Sequence, residues 1–270
     1  LIMKKMINSH PSMANGIASL YPTPIPLLKL ANDEGISVIY DKYGKNTFDG
    51  MTWYEPQQDK FYIHINTERG NTEKNTKGRF TLAHELGHYF IDHHRLAMEK
   101  GIMQPHIHRY EPFGKNEEWI IEREADEFAA NLLMPMSQFV ADLNGKVLSG
   151  ELIKDIAEKY NVSFSACAIR YLKLNRIPIM LVFSQMGRVK WQMRSDNFPF
   201  LRLKYGTDKV PENTVMGDYF LHNDPSCCCQ EEIVYAGDCF DTYTEEQNGI
   251  EFYEYCIAYK EFSFSMLWEK

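Results

Sequence analysis

The sequence predicts an α+β fold in which helices and strands occupy separate parts of the chain. Apolar residues recur at helical spacing over residues 80–90 and again over 117–133. Two strand candidates, at 47–54 and 60–65, precede these helices, and short β-like runs rich in prolines and aromatic residues begin at Ile177. The 270 residues, 44% of them hydrophobic, suffice for one large domain or two modest ones.

The N-terminal region contributes a helix, a strand and a hairpin in that order. Residues 1–24 are mostly small, polar or proline, and they predict a lead-in segment rather than a core element. Residues 25–32 have helical spacing, and Gly35 follows where a helix would end. The β-branched run 36–40 predicts a strand. The polar stretch 55–59 lies between the two later strand candidates, so they are expected to form a hairpin.

The middle of the chain is predicted to be helical. Pro135 ends the pattern that begins near residue 117. Two further helical patterns, at 152–160 and 163–174, are separated by a tight Asn161-Val162 turn and resemble a helix-turn-helix in spacing. Its inward-facing set is expected to be Ile156, Ala157, Val162 and Ala166.

Composition narrows the possible classes of protein. The 29 Lys and Arg residues against 37 Asp and Glu residues give a net charge of -8, which argues against the broad basic surface that grips nucleic-acid phosphates. No run of eighteen apolar residues exists, so no membrane span is expected. The six cysteines show no regular spacing, and residues 6–11 are too polar for a secretory signal. A cytoplasmic location is therefore expected.

One pentapeptide carries the chemistry: His84-Glu85-Leu86-Gly87-His88 fits the H-E-x-x-H pattern. Residues four apart share one face of a helix, so His84 and His88 can bind one Zn²⁺ at about 2.0–2.1 Å. Glu85 can then act as a base toward a water molecule whose pKa the ion lowers to about 7. Gly87 would allow another segment to approach this helix closely.

A third ligand is expected downstream, because a hydrolytic zinc site uses three protein ligands and leaves one position open. The segment Glu122-Arg123-Glu124-Ala125-Asp126 supplies the candidates. Glu122 and Asp126 are four residues apart on one helix face, which favours Glu122 as the metal ligand and leaves Glu124 as the alternative. Asp126 can then accept the outer N–H of a ligand histidine and fix its tautomer.

These blocks resemble the ImmA/IrrE family of zinc metallopeptidases. The resemblance rests on the run from Arg79 to His88 and on the run from Glu122 to Pro135, and it extends over about residues 27–176. It implies a zincin-like, intracellular peptidase in which zinc is held by the residues assigned above and water is activated by Glu85. Several members are implied to cleave helix-turn-helix transcriptional repressors. Asp126 stands where the family commonly has Asn.

Other features receive weaker interpretations. The strand at 61–65 is a hypothetical edge for pairing with an extended peptide, with a plain core strand as the alternative. The histidines outside the motif that follow it receive no role: His93, His94, His106 and His108. The run Cys227–Cys229 is interpreted as unpaired thiols rather than a metal or redox site, since adjacent cysteines do not converge easily.

The prediction is an intracellular zinc endopeptidase acting on a protein substrate, expected to be a helix-turn-helix repressor. It comprises a lead-in at 1–24, a metallopeptidase domain at 25–150, a helix-turn-helix-like segment at 151–176 and a mainly β domain at 177–270 that senses or recruits. One rival is a regulator or antitoxin that binds a protein without turnover. Another is a DNA-binding regulator that reads bases with Ser163, Ser165 and Arg170, although the acidic total argues against direct nucleic-acid binding.

Overall fold

The computed structural model describes residues 10–102 and 117–270 of the chain. His106 and His108 lie outside the described residues. The chain divides into two compact units. The first unit comprises Leu1–Gly145 with Ala157–Ser163, and the second unit comprises Lys146–Ile156 with Phe164–Lys270. The division into four functional segments stays a prediction.

A three-stranded sheet forms one layer of the first unit. Its strands are β1 (Ser37–Asp41), β2 (Gly50–Glu55) and β3 (Lys60–Asn66). β2 and β3 pair in antiparallel fashion as the predicted hairpin, and β1 pairs with β3 in parallel. The predicted strands are therefore present, with bounds that differ by at most three residues.

The hypothesis that residues 61–65 form a sheet edge is wrong. The strand order is β1-β3-β2, so β3 lies in the middle of the described sheet. Ile63 is paired with Val38 on one side and with Thr52 on the other. Because both sides of its backbone are hydrogen-bonded, β3 has no free ladder to offer a peptide. In this three-stranded sheet, the edge positions belong to β1 and β2.

Helices form the rest of the first unit. They are α1 (His10–Ala18), α2 (Leu27–Asp33), α3 (Thr76–Phe90), α4 (Asp92–Glu99), α5 (Glu117–Leu133) and α6 (Met136–Leu143). α3 begins at an N-cap, where the Asn75 side chain accepts a hydrogen bond from the Gly78 amide at 2.8 Å. α3 and α5 match the two strongest helical patterns of the sequence, and they pack against each other.

The prediction of a lead-in segment at 1–24 is wrong for its described part. Residues 10–18 form α1, and His10, Ala14 and Ala18 are buried. α1 packs on α5, where Asn15 donates a hydrogen bond to the Asn131 side chain at 3.2 Å. Small residues give α1 no strong apolar period, but they let two helices approach closely. α1 is therefore a core element of the first unit.

Two helices follow the first unit's α6. They are α7 (Gly150–Tyr160) and α8 (Phe164–Leu172), and Asn161 between them has a left-handed backbone with φ of 51°. Ile156, Ala157 and Val162 are buried as predicted, whereas Ala166 is partly exposed. Arg170 is only 5% exposed, so it is not the exposed base reader that the DNA-binding interpretation requires.

The second unit is built on a five-stranded antiparallel sheet in the order β5-β4-β8-β7-β6. Its strands are β4 (Ile179–Gln185), β5 (Arg188–Arg194), β6 (Glu231–Tyr235), β7 (Glu251–Tyr259) and β8 (Phe262–Glu269), and its short helices are α9 (Val215–His222), α10 (Ala236–Cys239) and α11 (Glu245–Asn248). The C-terminal part is thus mostly β, as the sequence predicts. All six cysteines lie in the described residues and are free thiols.

A buried carboxylate holds α9 against this sheet. Glu254 of β7 is fully buried and accepts hydrogen bonds from the backbone amides of Val215 and Met216 at 2.7 and 3.2 Å. The Ser265 hydroxyl donates a third at 2.7 Å. Burial outweighs these hydrogen bonds and raises the pKa of Glu254 to about 7.

Candidate metal centre

The two motif histidines point at the same place. α3 places His84 and His88 one turn apart, and both side chains are buried, at 0% and 1% exposure. Their Nε2 atoms lie 3.1 Å apart. Two imidazole nitrogens so close together inside a protein are suited to sharing one cation.

Glu122 of α5 completes a group of three donors. Its Oε2 lies 3.4 Å from His84 Nε2, and its Oε1 lies 3.3 Å from His88 Nε2. One ligand atom from each of these residues lies within 4.8 Å of the other two. Glu124, the alternative ligand, instead contacts His93 and His94. The structure therefore brings Glu122, not Glu124, to the motif histidines.

Close contact between α3 and α5 makes this convergence possible. A Cβ atom on Gly87 would lie 3.2 Å from the Ala125 Cα and carbonyl oxygen and 3.2 Å from a ring carbon of Phe128. This contact is tighter than nine in ten real Cβ contacts, and two of its partners are backbone atoms. Glycine at position 87 lets α5 lie close enough for Glu122 to reach both histidines.

Asp126 orients the first histidine. Its Oδ1 lies 2.8 Å from His84 Nδ1, which leaves His84 Nε2 directed toward Glu122. With the proton on Nδ1, His84 donates to this carboxylate, and its Nε2 lone pair is available to a metal. The placement is the one expected for Asp126 from its helical spacing.

His94 performs the same role for the second histidine. Its Nδ1 lies 3.2 Å from His88 Nδ1, and its Nε2 lies 3.0 Å from Glu124 Oε2. If His88 donates from Nδ1, His94 accepts at Nδ1 and donates from Nε2 to Glu124, so one set of tautomers satisfies the chain. His94 is fully buried, which sequence reasoning missed. In the sequence, the only indication of this role is that a histidine lies six residues beyond the motif.

The charges of the group favour a cation. Burial opposes protonation of His84, but hydrogen bonds to Asp126 and Glu122 outweigh it and raise the pKa of His84 well above its ordinary value. Burial lowers the pKa of His88 well below its ordinary value. Burial opposes ionisation of Glu124, but its two histidine neighbours lower its pKa to about 2. Without a cation, His88 is therefore neutral, and His84 carries the proton that balances the charge of its carboxylate neighbours; a bound cation could replace that proton.

Strand β2 positions Glu85. This side chain is buried, and the Thr52 hydroxyl donates a hydrogen bond to its Oε2 at 2.7 Å. A Cβ atom on Gly50 would lie 2.6 Å from Glu85 Oε1, so glycine makes the space in which the carboxylate lies. Sequence reasoning missed both β2 residues, since nothing in the local pattern connects them with a helix thirty residues later.

The donor set fits zinc. Two neutral imidazoles and one carboxylate are the ligands of a catalytic rather than a structural zinc site, which needs a fourth protein ligand. The acceptors at Asp126 and His94 fix the ring orientations that such ligation needs. Glu85 lies next to His84 in the chain and is held independently by β2.

A comparison with protein families agrees with this geometry. The model of the Peptidase M78 family, described as the IrrE N-terminal-like domain, matches residues 31–172, just over half of the chain. The chain belongs to this family. The M78 match confirms the resemblance to ImmA/IrrE proteins and supports a zincin-like fold for the first unit. It includes α3 and α5 but begins after α1 and ends before the second unit's sheet.

Comparison with solved structures supports the fold alone. A Mycobacterium tuberculosis transcriptional regulator is similar at a TM-score of 0.53 and 15% identity, covering 98% of this chain and 76% of that one. A search of the curated proteins found no match. In the described part of the chain, every helix is too short or too polar to cross a bilayer.

Proposed function

We propose that this M78 protein is an intracellular zinc-dependent endopeptidase that cleaves a regulatory protein, expected to be a helix-turn-helix transcriptional repressor. One observation carries the proposal. The Nε2 atoms of His84 and His88 and the Glu122 carboxylate converge, while Glu85, the residue that follows His84, is held by a hydrogen bond from Thr52. This arrangement combines a metal-ligand set with an adjacent base, which is the minimum for metal-assisted peptide hydrolysis.

Each residue has a separate task. His84, His88 and Glu122 would hold zinc, Asp126 orients His84, and His94 orients His88. When bound, zinc would supply an activated water molecule and polarise the scissile carbonyl. The proton transfers of the reaction would depend on the Glu85 carboxylate.

Glu85 is the proposed general base and acid. Its carboxylate would take a proton from the attacking water and then deliver that proton to the leaving amine of the cleaved peptide. The hydrogen bond from Thr52 fixes one carboxylate oxygen and leaves the other directed toward Gly50. General-base catalysis requires this carboxylate to lie within hydrogen-bonding reach of the attacking water, and the hydrogen bond from Thr52 limits the positions that it can take.

The proposed substrate class derives from the family. M78 membership supports a peptidase or a regulator that acts on a protein partner. Direct DNA reading by α7 and α8 loses support, since Arg170 is buried. The remaining rival is a regulator that binds its partner through the same fold without cutting it.

The variant Glu85→Gln tests the proposal. Full-length wild type and E85Q would be loaded with zinc and incubated with purified helix-turn-helix repressors of the source cell, and fragments would be identified by mass spectrometry. We expect E85Q to retain zinc and lose cleavage, while E99Q, a change at the exposed end of α4, cleaves like wild type. Cleavage by E85Q would refute the assigned role. Equal repressor binding by both proteins without fragments would favour the non-cutting regulator.

A further inference from the structure

A second group of side chains that could hold a metal ion shares no ligand with His84, His88 and Glu122, although its Glu124 also ends the hydrogen-bond chain behind His88. His10 begins α1, His93 lies in the first turn of α4, and Glu124 lies in the middle of α5. One ligand atom from each of these three residues lies within 4.8 Å of the other two. The donor set of two imidazoles and one carboxylate is the same as that of His84, His88 and Glu122.

The three side chains meet where little solvent reaches them. His10 is 4% exposed and Glu124 is 5% exposed, whereas the His93 side chain is 38% exposed. His93 Nε2 lies 2.8 Å from Glu124 Oε2, and the His10 and His93 ring centroids are 5.5 Å apart. The group is thus buried at His10 and Glu124 and accessible to solvent at His93.

Burial of a carboxylate among imidazoles calls for a compensating positive charge. Burial also lowers the pKa of His10, so this imidazole is neutral at pH 7 and offers a lone pair. A hydrogen-bonded network without metal is the competing explanation, because the distance between His93 and Glu124 also suits a hydrogen bond. The two explanations differ in metal stoichiometry.

We propose that His10, His93 and Glu124 form a second site for a first-row divalent metal ion, of which zinc suits the nitrogen and oxygen donors best. The ion would link α1 to α4 and α5, and so fasten the N-terminal helix behind the catalytic helix pair. Of the three residues, His10 precedes the segment matched by the family model, whereas His93 and Glu124 lie within it. The second site does not depend on the proposed peptidase activity.

Zinc stoichiometry tests the proposal. Tag-free, full-length protein would be stripped with EDTA, reconstituted with zinc chloride, dialysed and measured by elemental mass spectrometry. We expect two equivalents for wild type and one for either H93A or H10A. The control H64A removes a half-buried histidine of β3 that belongs to neither group, and should retain two. His93 is partly exposed, so H93A should fold, which far-ultraviolet circular dichroism checks.

A second set of variants, made in a protein that lacks His84 and His88, distinguishes this proposal from the peptidase proposal. H84A/H88A should keep one equivalent, and zinc should still raise its melting temperature, whereas adding H93A should abolish both effects. Wild-type stoichiometry that H93A and H10A leave unchanged would overturn the second site, whatever the first site does. If H93A lost zinc while H84A/H88A kept the wild-type amount, the second site would be supported. The same result would show that the proposed catalytic centre does not bind zinc.

Discussion

His88 and His94 face each other through their Nδ1 atoms at a distance of 3.2 Å. At its Nδ1 atom, His84 contacts a carboxylate directly, that of Asp126, whereas the Nδ1 atom of His88 is connected to the Glu124 carboxylate through His94. Each of the two candidate ligand histidines is therefore hydrogen-bonded, directly or through one further histidine, to a carboxylate. An outer acceptor of this kind fixes the tautomer and ring orientation of a metal ligand.

Removal of the His94 acceptor is expected to weaken zinc binding. H94F should lower the zinc affinity of the His84–His88–Glu122 group by about 10- to 100-fold, the usual cost of losing an outer partner. H94N should lose less, since its amide oxygen can accept from His88. Competition with a chromogenic chelator in the H93A background measures this affinity with the second proposed site removed. Equal affinities for H94F and its parent would contradict the role.

Gly50→Ala is expected to displace Glu85 while leaving the metal ligands in place. The new Cβ would lie 2.6 Å from Glu85 Oε1 and 2.7 Å from the Thr81 methyl group, so the carboxylate must move. A displacement near 1 Å costs about 100-fold in rate. Cleavage assays and zinc measurement on G50A would show slow turnover with normal zinc content. G16A is the matched control, because a Cβ there meets nothing within 4 Å.

Gly87→Val is expected to push α5 away from α3. Even a Cβ would lie 3.2 Å from Ala125 backbone atoms, and the two further methyl groups would overlap them. Overpacking of this kind costs about 1–3 kcal/mol of unfolding free energy. Urea unfolding should show the loss, and zinc affinity should fall with it because Glu122 retreats. A G87V protein with unchanged stability would mean that the helices separate freely.

Glu254 is expected to make the second unit less stable as pH rises. Its pKa is about 7 in the folded protein against an ordinary value of 4.5, so the folded state binds its proton more tightly. That stabilisation is complete below pH 4.5 and is lost as pH rises toward 7, a change of about 3 kcal/mol. In a W53F/W119F background, Trp191 and Trp268 report unfolding of this unit by fluorescence.

E254Q is the control for that measurement. Glutamine cannot ionise but can still accept from the Val215 and Met216 amides, so the difference between the two proteins isolates one titration. We expect the stability of E254Q to vary less between pH 4.5 and 7 than that of its parent. Parallel curves for the two proteins would rule out Glu254 as the titrating group.

Local sequence patterns predict the helices and strands whose apolar residues recur at a regular helical or strand spacing. The periodicities of α3 and α5 and the β2–β3 hairpin are present because each pattern repeats over neighbouring residues. α1 escaped notice because its buried face consists of small residues, which gain their stabilisation from packing on α5 rather than from their own apolar period. The central position of β3 could not be predicted from local patterns, because its pairing with β1 joins residues that are 25 positions apart in the chain.

In the candidate metal centre, too, some features follow from local sequence and others from tertiary packing. The sequence by itself determined the pair His84 and His88, because residues four apart on a helix must share a face. Only the tertiary structure decided that Glu122 faces this pair, that His94 and Glu124 support it from behind, and that His10 joins His93. Those contacts depend on how α1, α4 and α5 pack, and packing is decided by burial over the whole unit rather than by neighbours in the chain.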